Sequence, residues 1–127
     1  MANPAVVLCV GDEPRSAGIH LVLSIAGYDV LRAHNGNAAL RMLRLHRVDM
    51  VVTEQFLSDL TGAHLAEKMK QLKPQMPIAL LVGSAKSSPT LSEAADLLIE
   101  KEVYPDELLA MIEPLASPAH AMKSHRC

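Results

Sequence analysis

The stretch VDMVVTEQFLSDLTG, residues 48–62, opens with a short apolar run and closes with a glycine. Residues 49–53 predict a buried strand, and residues 54–61 predict a loop that leads into a helix. Glu54 therefore stands where the strand meets its loop. In parallel α/β sheets, functional side chains gather beyond the carboxyl ends of the strands, so Glu54 is the first candidate site residue.

Short apolar runs and longer helical runs alternate on both sides of this stretch. Four more strands are predicted at residues 5–10, 28–33, 77–82 and 96–100, and helices at residues 14–26, 37–46, 62–72, 90–95 and 105–116. The first helix carries Ala17, Leu21, Val22 and Ile25 at helical spacing. This alternation predicts an α/β domain with a parallel sheet and helices on both faces. We expect the domain to span residues 1–116 and residues 117–127 to form a disordered tail.

Composition excludes several classes of protein. The chain has 127 residues, half of them apolar, and a net charge of −2, which gives no strong field for nucleic acid or anionic lipid. Cys9 and Cys127 form no disulfide framework, and no apolar run approaches the roughly 20 residues that span a bilayer. The start has no signal-peptide pattern. We therefore expect a cytoplasmic protein that binds neither nucleic acid nor membrane.

Three charged residues follow three of the predicted strands. Asp12 follows the first strand, Glu54 the third and Lys101 the fifth. Because the carboxyl ends of parallel strands meet at one edge of the sheet, these side chains are expected to converge there.

Four segments, in order, resemble the response-regulator receiver domain of two-component signalling. They are VVLCVGDEP, AGYDVLRAHNGNAAL, VDMVVTEQFLSDLTG and AADLLIEKEVYPDELL, which together cover about residues 5–116. The resemblance implies a flavodoxin-like, doubly wound, five-stranded parallel sheet of strand order 2-1-3-4-5. It also implies that Glu54 stands at the phospho-acceptor position, that Asp12 and Glu13 belong to the acidic pocket, and that Lys101 is the site lysine.

The sequence departs from the pattern of that family at several positions. Glu54 replaces the acceptor aspartate, and Gly11 replaces one of the two acids after the first strand. The resemblance assigns Val82 to the position of the hydroxyl residue that follows the phosphoryl group, and Leu98 to that of the aromatic switch residue. Neither side chain has a polar group, so we expect a degenerate receiver, or pseudo-receiver, that acts through protein contacts independently of phosphorylation.

The cofactor and partner expectations follow from this hypothesis. No cofactor is expected, although Asp12 and Glu54 could together hold Mg²⁺ weakly. Partners implied by the resemblance are a histidine kinase, a phosphotransfer protein or an output protein, docked on about residues 84–116. A homodimer through that surface is an alternative. No nucleophile–base pair is apparent, so we do not expect an enzyme.

Other interpretations of the same residues stay open. A working Mg²⁺-dependent phospho-acceptor could use Glu54 or Asp59, and a flavodoxin-like protein could bind a small molecule. Glu54 could be a solvated strand-end acid, and Asp12 with Glu13 could cap the first helix. Arg41, Arg44 and Arg47 recur every third residue, which is usual for a solvated helix face and could also serve a partner.

Overall fold

The structure of the chain is a computed structural model that describes residues 4–11, 14–83, 94–100 and 102–116, with the side chains of residues 14–17 excluded. Its strands are β1 (Val6–Val10), β2 (Asp29–Ala33), β3 (Met50–Glu54), β4 (Ile78–Val82) and β5 (Leu97–Glu100). Its helices are α1 (Pro14–Ile25), α2 (Gly36–Leu45), α3 (Gly62–Leu72) and α4 (Pro105–Ala116).

All neighbouring strands pair in parallel, in the order β2-β1-β3-β4-β5. The central strands β3 and β4 are buried along their whole length, as unbroken apolar strands of a sheet covered on both faces should be. The predicted flavodoxin-like sheet and its strand order are confirmed. Each predicted strand differs from the observed one by a residue or two at its ends.

Two apolar cores cover the two faces of the sheet. On one face α1 and α4 pack through Leu23, Leu108 and Ile112 onto β1, β3, β4 and β5. On the other face α2 and α3 pack through Leu43, Leu65 and Met69 onto the same sheet. The core is aliphatic, because the chain has one Phe, two Tyr and no Trp.

Two helices begin at polar caps that the local sequence supplies. The side chain of Asn35 accepts a hydrogen bond from the amide of Ala38 at the start of α2, at 2.8 Å. Thr61 accepts one from the amide of His64 at the start of α3, at 3.1 Å. These caps satisfy amides that have no partner within the helix and fix where α2 and α3 begin.

Two aspartates connect neighbouring strands at the edge of the sheet where the strands begin. Asp49, just before β3, accepts a hydrogen bond from the amide of Val6 on β1 at 2.7 Å. Asp96, just before β5, accepts one from the amide of Ile78 on β4 at 2.9 Å. Each carboxylate joins the start of its own strand to the start of a neighbour.

Three details of the predicted elements need correction or lie outside the described residues. On α1, Leu21 and Ile25 are exposed, because Ile19, Val22 and Leu23 form the face that packs on the sheet. Of the helix expected at residues 90–95, residues 90–93 lie outside the described part of the chain and residues 94–95 are not helical. The expected tail, 117–127, also lies outside it.

Candidate functional site

Glu54 is the last residue of β3 and is buried, with 4% of its surface exposed. Among the polar side chains of the described residues, only Glu54 and its neighbour Thr53 are buried. The interpretation of Glu54 as a solvated strand-end acid is therefore wrong. Its side chain turns inward because space has been left for it beside β1.

That space is supplied by Gly11, the residue that follows β1. A β-carbon built on Gly11 would lie 2.7 Å from Oε2 of Glu54 and 2.8 Å from its Cγ, closer than such atoms approach in real proteins. Gly11 also has φ +148°, a conformation that side-chain-bearing residues rarely adopt. Its amide donates to the carbonyl of Ala33 at 2.9 Å, which fixes this turn against β2.

A second glycine brings α3 against the backbone of Glu54. A β-carbon on Gly62 would overlap the carbonyl oxygen of Glu54 and would lie 2.6 Å from Cδ1 of Leu80. The amide of Gly62 donates to the carbonyl of Gln55 at 2.8 Å. Glycine at the start of α3 is therefore required by the close approach of that helix to the end of β3.

The loop between β3 and α3 is tied to α2 by Asp59. Its two carboxylate oxygens accept hydrogen bonds from the amides of Gly36 and Asn37, each at 2.9 Å. Desolvation opposes the ionised form, but these bonds and others from amides within the loop prevail and lower the pKa of Asp59. A β-carbon on Gly36 would lie 2.9 Å from Cγ of Leu60, so the loop and α2 are closely packed.

The two positions assigned to the switch lie on neighbouring strands. Val82 ends β4 and is fully buried, opposite Glu100 of β5. Leu98 is partly buried on β5, opposite Leu80 of β4. Both side chains are apolar, so each of these positions lacks a hydrogen-bonding group.

The remaining predicted site residues, Asp12, Glu13 and Lys101, lie outside the described part of the chain. The structure therefore brings together Gly11, Glu54 and Gly62, and places Val82 on the strand next to that of Glu54. It leaves the expected convergence of Asp12 and Lys101 on Glu54, and the capping alternative for Asp12 and Glu13, as predictions.

Gly11 stands where the receiver pattern has one of the two acids that help to hold Mg²⁺. Mg²⁺ needs near-octahedral oxygen ligands, usually including one or two carboxylates. Residue 11 supplies no side-chain oxygen, and the place of a side chain there is filled by Glu54. Across residues 4–11, 14–83, 94–100 and 102–116, no group of three or more His, Cys, Asp or Glu is placed to hold a metal ion. Of the two predicted Mg²⁺ ligands, Glu54 lies against Gly11 and Asp12 lies outside the described residues.

The comparison with protein families agrees with this fold. Residues 7–113 match the response regulator receiver domain. The chain belongs to that family. No helix in the described part of this receiver domain is both long enough and apolar enough to cross a membrane.

Curated relatives are longer proteins that contain a similar segment. The chain is 32% identical over 80 residues to the transcriptional regulatory protein GlrR of Escherichia coli, covering 62% of this chain and 18% of GlrR. It is 27% identical over 128 residues to the alkaline phosphatase synthesis transcriptional regulatory protein PhoP of Bacillus subtilis, covering 93% of this chain and 53% of PhoP. The receiver domain thus spans about half, or less, of these relatives.

Solved structures show the same architecture. The response regulator TrrA of Thermotoga maritima, solved in complex with Mg²⁺-BeF, has 28% identity and a TM-score of 0.79 over 87% of this chain and 98% of that chain. A CheY-like receiver domain protein of Methanospirillum hungatei has 26% identity and a TM-score of 0.76 over 87% of this chain and 91% of that chain.

Sequence reasoning missed two contributors to the site of this receiver domain. The sequence identified Gly11 only as a position where the family has an acid. The structure shows that the missing side chain also makes room for Glu54. Asp59 was considered as an acceptor, whereas it caps α2 from 23 residues away. Neither role has a local sequence signal, because both depend on segments that meet only in the folded chain.

Proposed function

We propose that this receiver domain is a protein-interaction module of a two-component system that is not switched by Mg²⁺-dependent phosphorylation. The observation that carries the proposal is the packing of the Glu54 side chain into the space beside Gly11. Mg²⁺-dependent phosphorylation requires a well-placed acceptor and enough acids around the metal. A buried carboxylate beside Gly11 changes both the position of the acceptor and the number of acids.

The position of the acceptor matters because phosphoryl transfer depends mainly on alignment and charge stabilisation. Glutamate is longer than aspartate by one carbon–carbon bond, about 1.5 Å. A misplacement of about 1 Å can lower a rate on the order of a hundredfold. The carboxylate of Glu54 lies against Gly11, and we expect its longer side chain to misplace it by a similar distance relative to an aspartate.

Signal readout would also differ from that of a phosphorylated switch. A hydroxyl at the end of β4 can bond to a phosphoryl oxygen, whereas the isopropyl group of Val82 cannot. On β5, Leu98 has no polar atom whose exposure could be coupled to that bond. Two consecutive steps of such a switch would therefore be missing, and packing sets a single resting conformation.

The rival acceptor, Asp59, is engaged elsewhere. Both of its oxygens accept amide hydrogen bonds at the start of α2, each at 2.9 Å. Attack on a phosphoryl group would require at least one of these bonds to break. This geometry favours the role of Asp59 as a structural tie over that of a nucleophile.

The proposed partner is a protein of a two-component pathway: a histidine kinase, a phosphotransfer protein or an output protein. The names of GlrR and PhoP describe transcriptional regulatory proteins, and a sensor kinase/phosphatase, LuxN of Vibrio harveyi, also contains a similar segment, 26% identical over 83 residues. Similar segments thus serve both sensor and output proteins, which supports a role in protein contacts.

The experiment is intact-mass spectrometry after incubation with Mg²⁺ and a small acyl-phosphate donor. A receiver domain with aspartate at the acceptor position serves as the positive control for the donor. We expect no phosphoryl adduct on the wild-type chain under conditions that fully modify the control. A stoichiometric adduct mapped to Glu54 or Asp59 would overturn the proposal.

The matched variant carries Gly11→Asp, Glu54→Asp and Val82→Thr together. It restores the second acid, shortens the acceptor and returns the hydroxyl, so we expect it to gain an adduct that is removed when Mg²⁺ is chelated. Circular dichroism confirms that the variant is folded before its mass is compared with that of the wild-type chain.

A further inference from the structure

A cleft lies between the carboxyl ends of α2 and α3, away from the Glu54 site. It has a volume of about 480 Å³ and is lined by Leu43, Arg44, Leu45, His46, Arg47, Leu72 and Lys73, which we call the basic cleft. Leu45 is 70% exposed and Leu72 is 43% exposed. Residues 34–48 contain no acidic residue, so this surface joins positive charge to exposed aliphatic area.

The cations of the basic cleft differ in their contacts with the rest of the chain. Arg47 contacts the carboxylate of Asp49 at 3.3 Å and donates to the carbonyl of Pro4 at 2.8 Å. Arg44 is exposed and Lys73 is half-buried at the end of α3. Arg44 and Lys73 are therefore the cations that an incoming acidic surface would meet first.

A groove of nearly the same size and the opposite charge lies along β5 and α4. It has a volume of about 470 Å³ and is lined by Leu98, Glu100, Glu102, Val103, Tyr104, Glu107 and Met111, which we call the acidic groove. Its exposed large apolar residue is Tyr104, at 71%. Among the described residues, three glutamates thus line this groove around an apolar surface, and three cations line the basic cleft around another.

The two surfaces lie at opposite ends of the molecule. The helices run antiparallel to the strands, so the carboxyl ends of α2 and α3 are at the edge where strands begin. The acidic groove extends from the end of β5, where Glu100 is the last residue, to the first half of α4. The two surfaces therefore cannot meet within one chain and can meet only between copies.

We propose that the acidic groove of one copy docks on the basic cleft of a second copy, head to tail. Tyr104 would lie against Leu45 and Leu72, while Glu102 and Glu107 face Arg44 and Lys73. Such a contact joins two different surfaces, so it propagates along a line of molecules unless the rotation closes it. This inference goes beyond the proposed function and is independent of phosphorylation.

The contact should be weak and sensitive to salt. The contact joins only one cleft and one groove, whereas a standard interface buries about 1,200–2,000 Å² in total. Its charges lie at an exposed rim, where they steer association and are screened beyond a Debye length of about 10 Å at 0.1 M salt. We expect concentration-dependent association at low salt that is reversed by added salt.

Sedimentation velocity over a range of concentrations tests the proposal with a charge swap. Arg44→Glu reverses one charge of the basic cleft, and Glu107→Arg reverses one charge of the acidic groove. Each variant alone should self-associate about tenfold more weakly than wild type. Mixed together, the intact groove of the first variant meets the intact cleft of the second, so the mixture should form dimers. Lys68→Glu on α3 and Glu113→Arg on α4, which are exposed and outside both surfaces, are the controls.

Cross-linking identifies the contact directly. A zero-length carbodiimide joins an amine to a carboxylate in contact with it, and mixing ¹⁵N-labelled with unlabelled chain distinguishes links between copies. We expect a Lys73–Glu107 or Lys73–Glu102 link between copies. The proposal is overturned if the wild-type chain stays monomeric at low salt, if either variant alone associates as strongly as wild type, or if the mixture of variants associates no more than each alone.

Discussion

The side chain of Glu54 fills the space that a side chain at Gly11 would need. In the sequence these are two separate departures from the receiver pattern: an acid lost after β1 and an acceptor lengthened at the end of β3. In the folded domain they form one packing arrangement, because Glu54 occupies the volume that an acid at residue 11 would need. Restoring the acid at residue 11 alone would place two side chains in one volume.

A double-mutant cycle tests this coupling. Gly11→Ala should lower the free energy of unfolding by about 2–4 kcal/mol, because it adds both backbone strain and overlap with Glu54. In a Glu54→Ala background the overlap is gone and only the strain remains, so the same change should cost about 1–2 kcal/mol less. Urea unfolding of the four proteins gives the coupling. Additivity within about 0.5 kcal/mol would show that the two side chains do not compete for space.

Asp59→Asn should weaken the tie between the loop and α2. Loss of a charged cap costs about 1 kcal/mol at neutral pH. Because the folded-state pKa of Asp59 lies below its ordinary value of 3.8, its contribution is complete above that value. It is lost as the pH falls through the lower, folded-state pKa. The difference in stability between wild type and variant should therefore shrink in acid; a difference independent of pH would contradict this role.

Asp96 and Lys70 form an ion pair at 2.7 Å, yet their removal should have unequal effects. Asp96→Ala deprives the amide of Ile78 of its acceptor at the start of β4, which should cost about 1–3 kcal/mol. Lys70→Met removes a partly exposed charge and should cost about 1 kcal/mol or less. Thermal or urea unfolding compares the two. Equal losses would mean that the ion pair, and not the strand tie, is the stabilising element.

Cys9 should be unreactive in the folded protein. Burial, opposed by Arg32, raises the pKa of its thiol to about 12, so almost no thiolate is present at neutral pH. Iodoacetamide should label Cys9 in urea and leave it unlabelled in buffer, as read by peptide mass spectrometry. Labelling of Cys9 at comparable rates in both conditions would show that β1 opens readily.

The sequence predicted the sheet well because its information there is local. Unbroken apolar runs and the glycine that follows α1 act within a few residues, so the five strands and the helices α1 to α4 were predicted to within a residue or two. The helix expected at residues 90–95 was not, since residues 94–95 are not helical. The inward face of α1 was predicted less well. Leu21 and Ile25 fit helical spacing, yet they are exposed because the sheet contacts Leu23 and its neighbours.

The site was predicted less completely because its geometry is tertiary. The register that places Glu54 at the end of β3 follows from the sequence, but the direction of its side chain depends on Gly11, 43 residues earlier. In the same way, Asp59 finds its amide partners on a helix that the sequence places far before it. Spacing identifies such residues as candidates and leaves their contacts to be found in the fold.

The most direct test of the central claim is a Mg²⁺ titration of ¹⁵N-labelled chain, followed by the backbone amide signals of Gly11, Glu54 and Val82. The variant with Gly11→Asp and Glu54→Asp is the matched comparison. We predict that these signals in the wild-type chain show no saturable shift up to millimolar Mg²⁺, while the variant shows one. Saturable shifts of the same three signals in the wild-type chain, at concentrations no higher than the variant requires, would contradict the account.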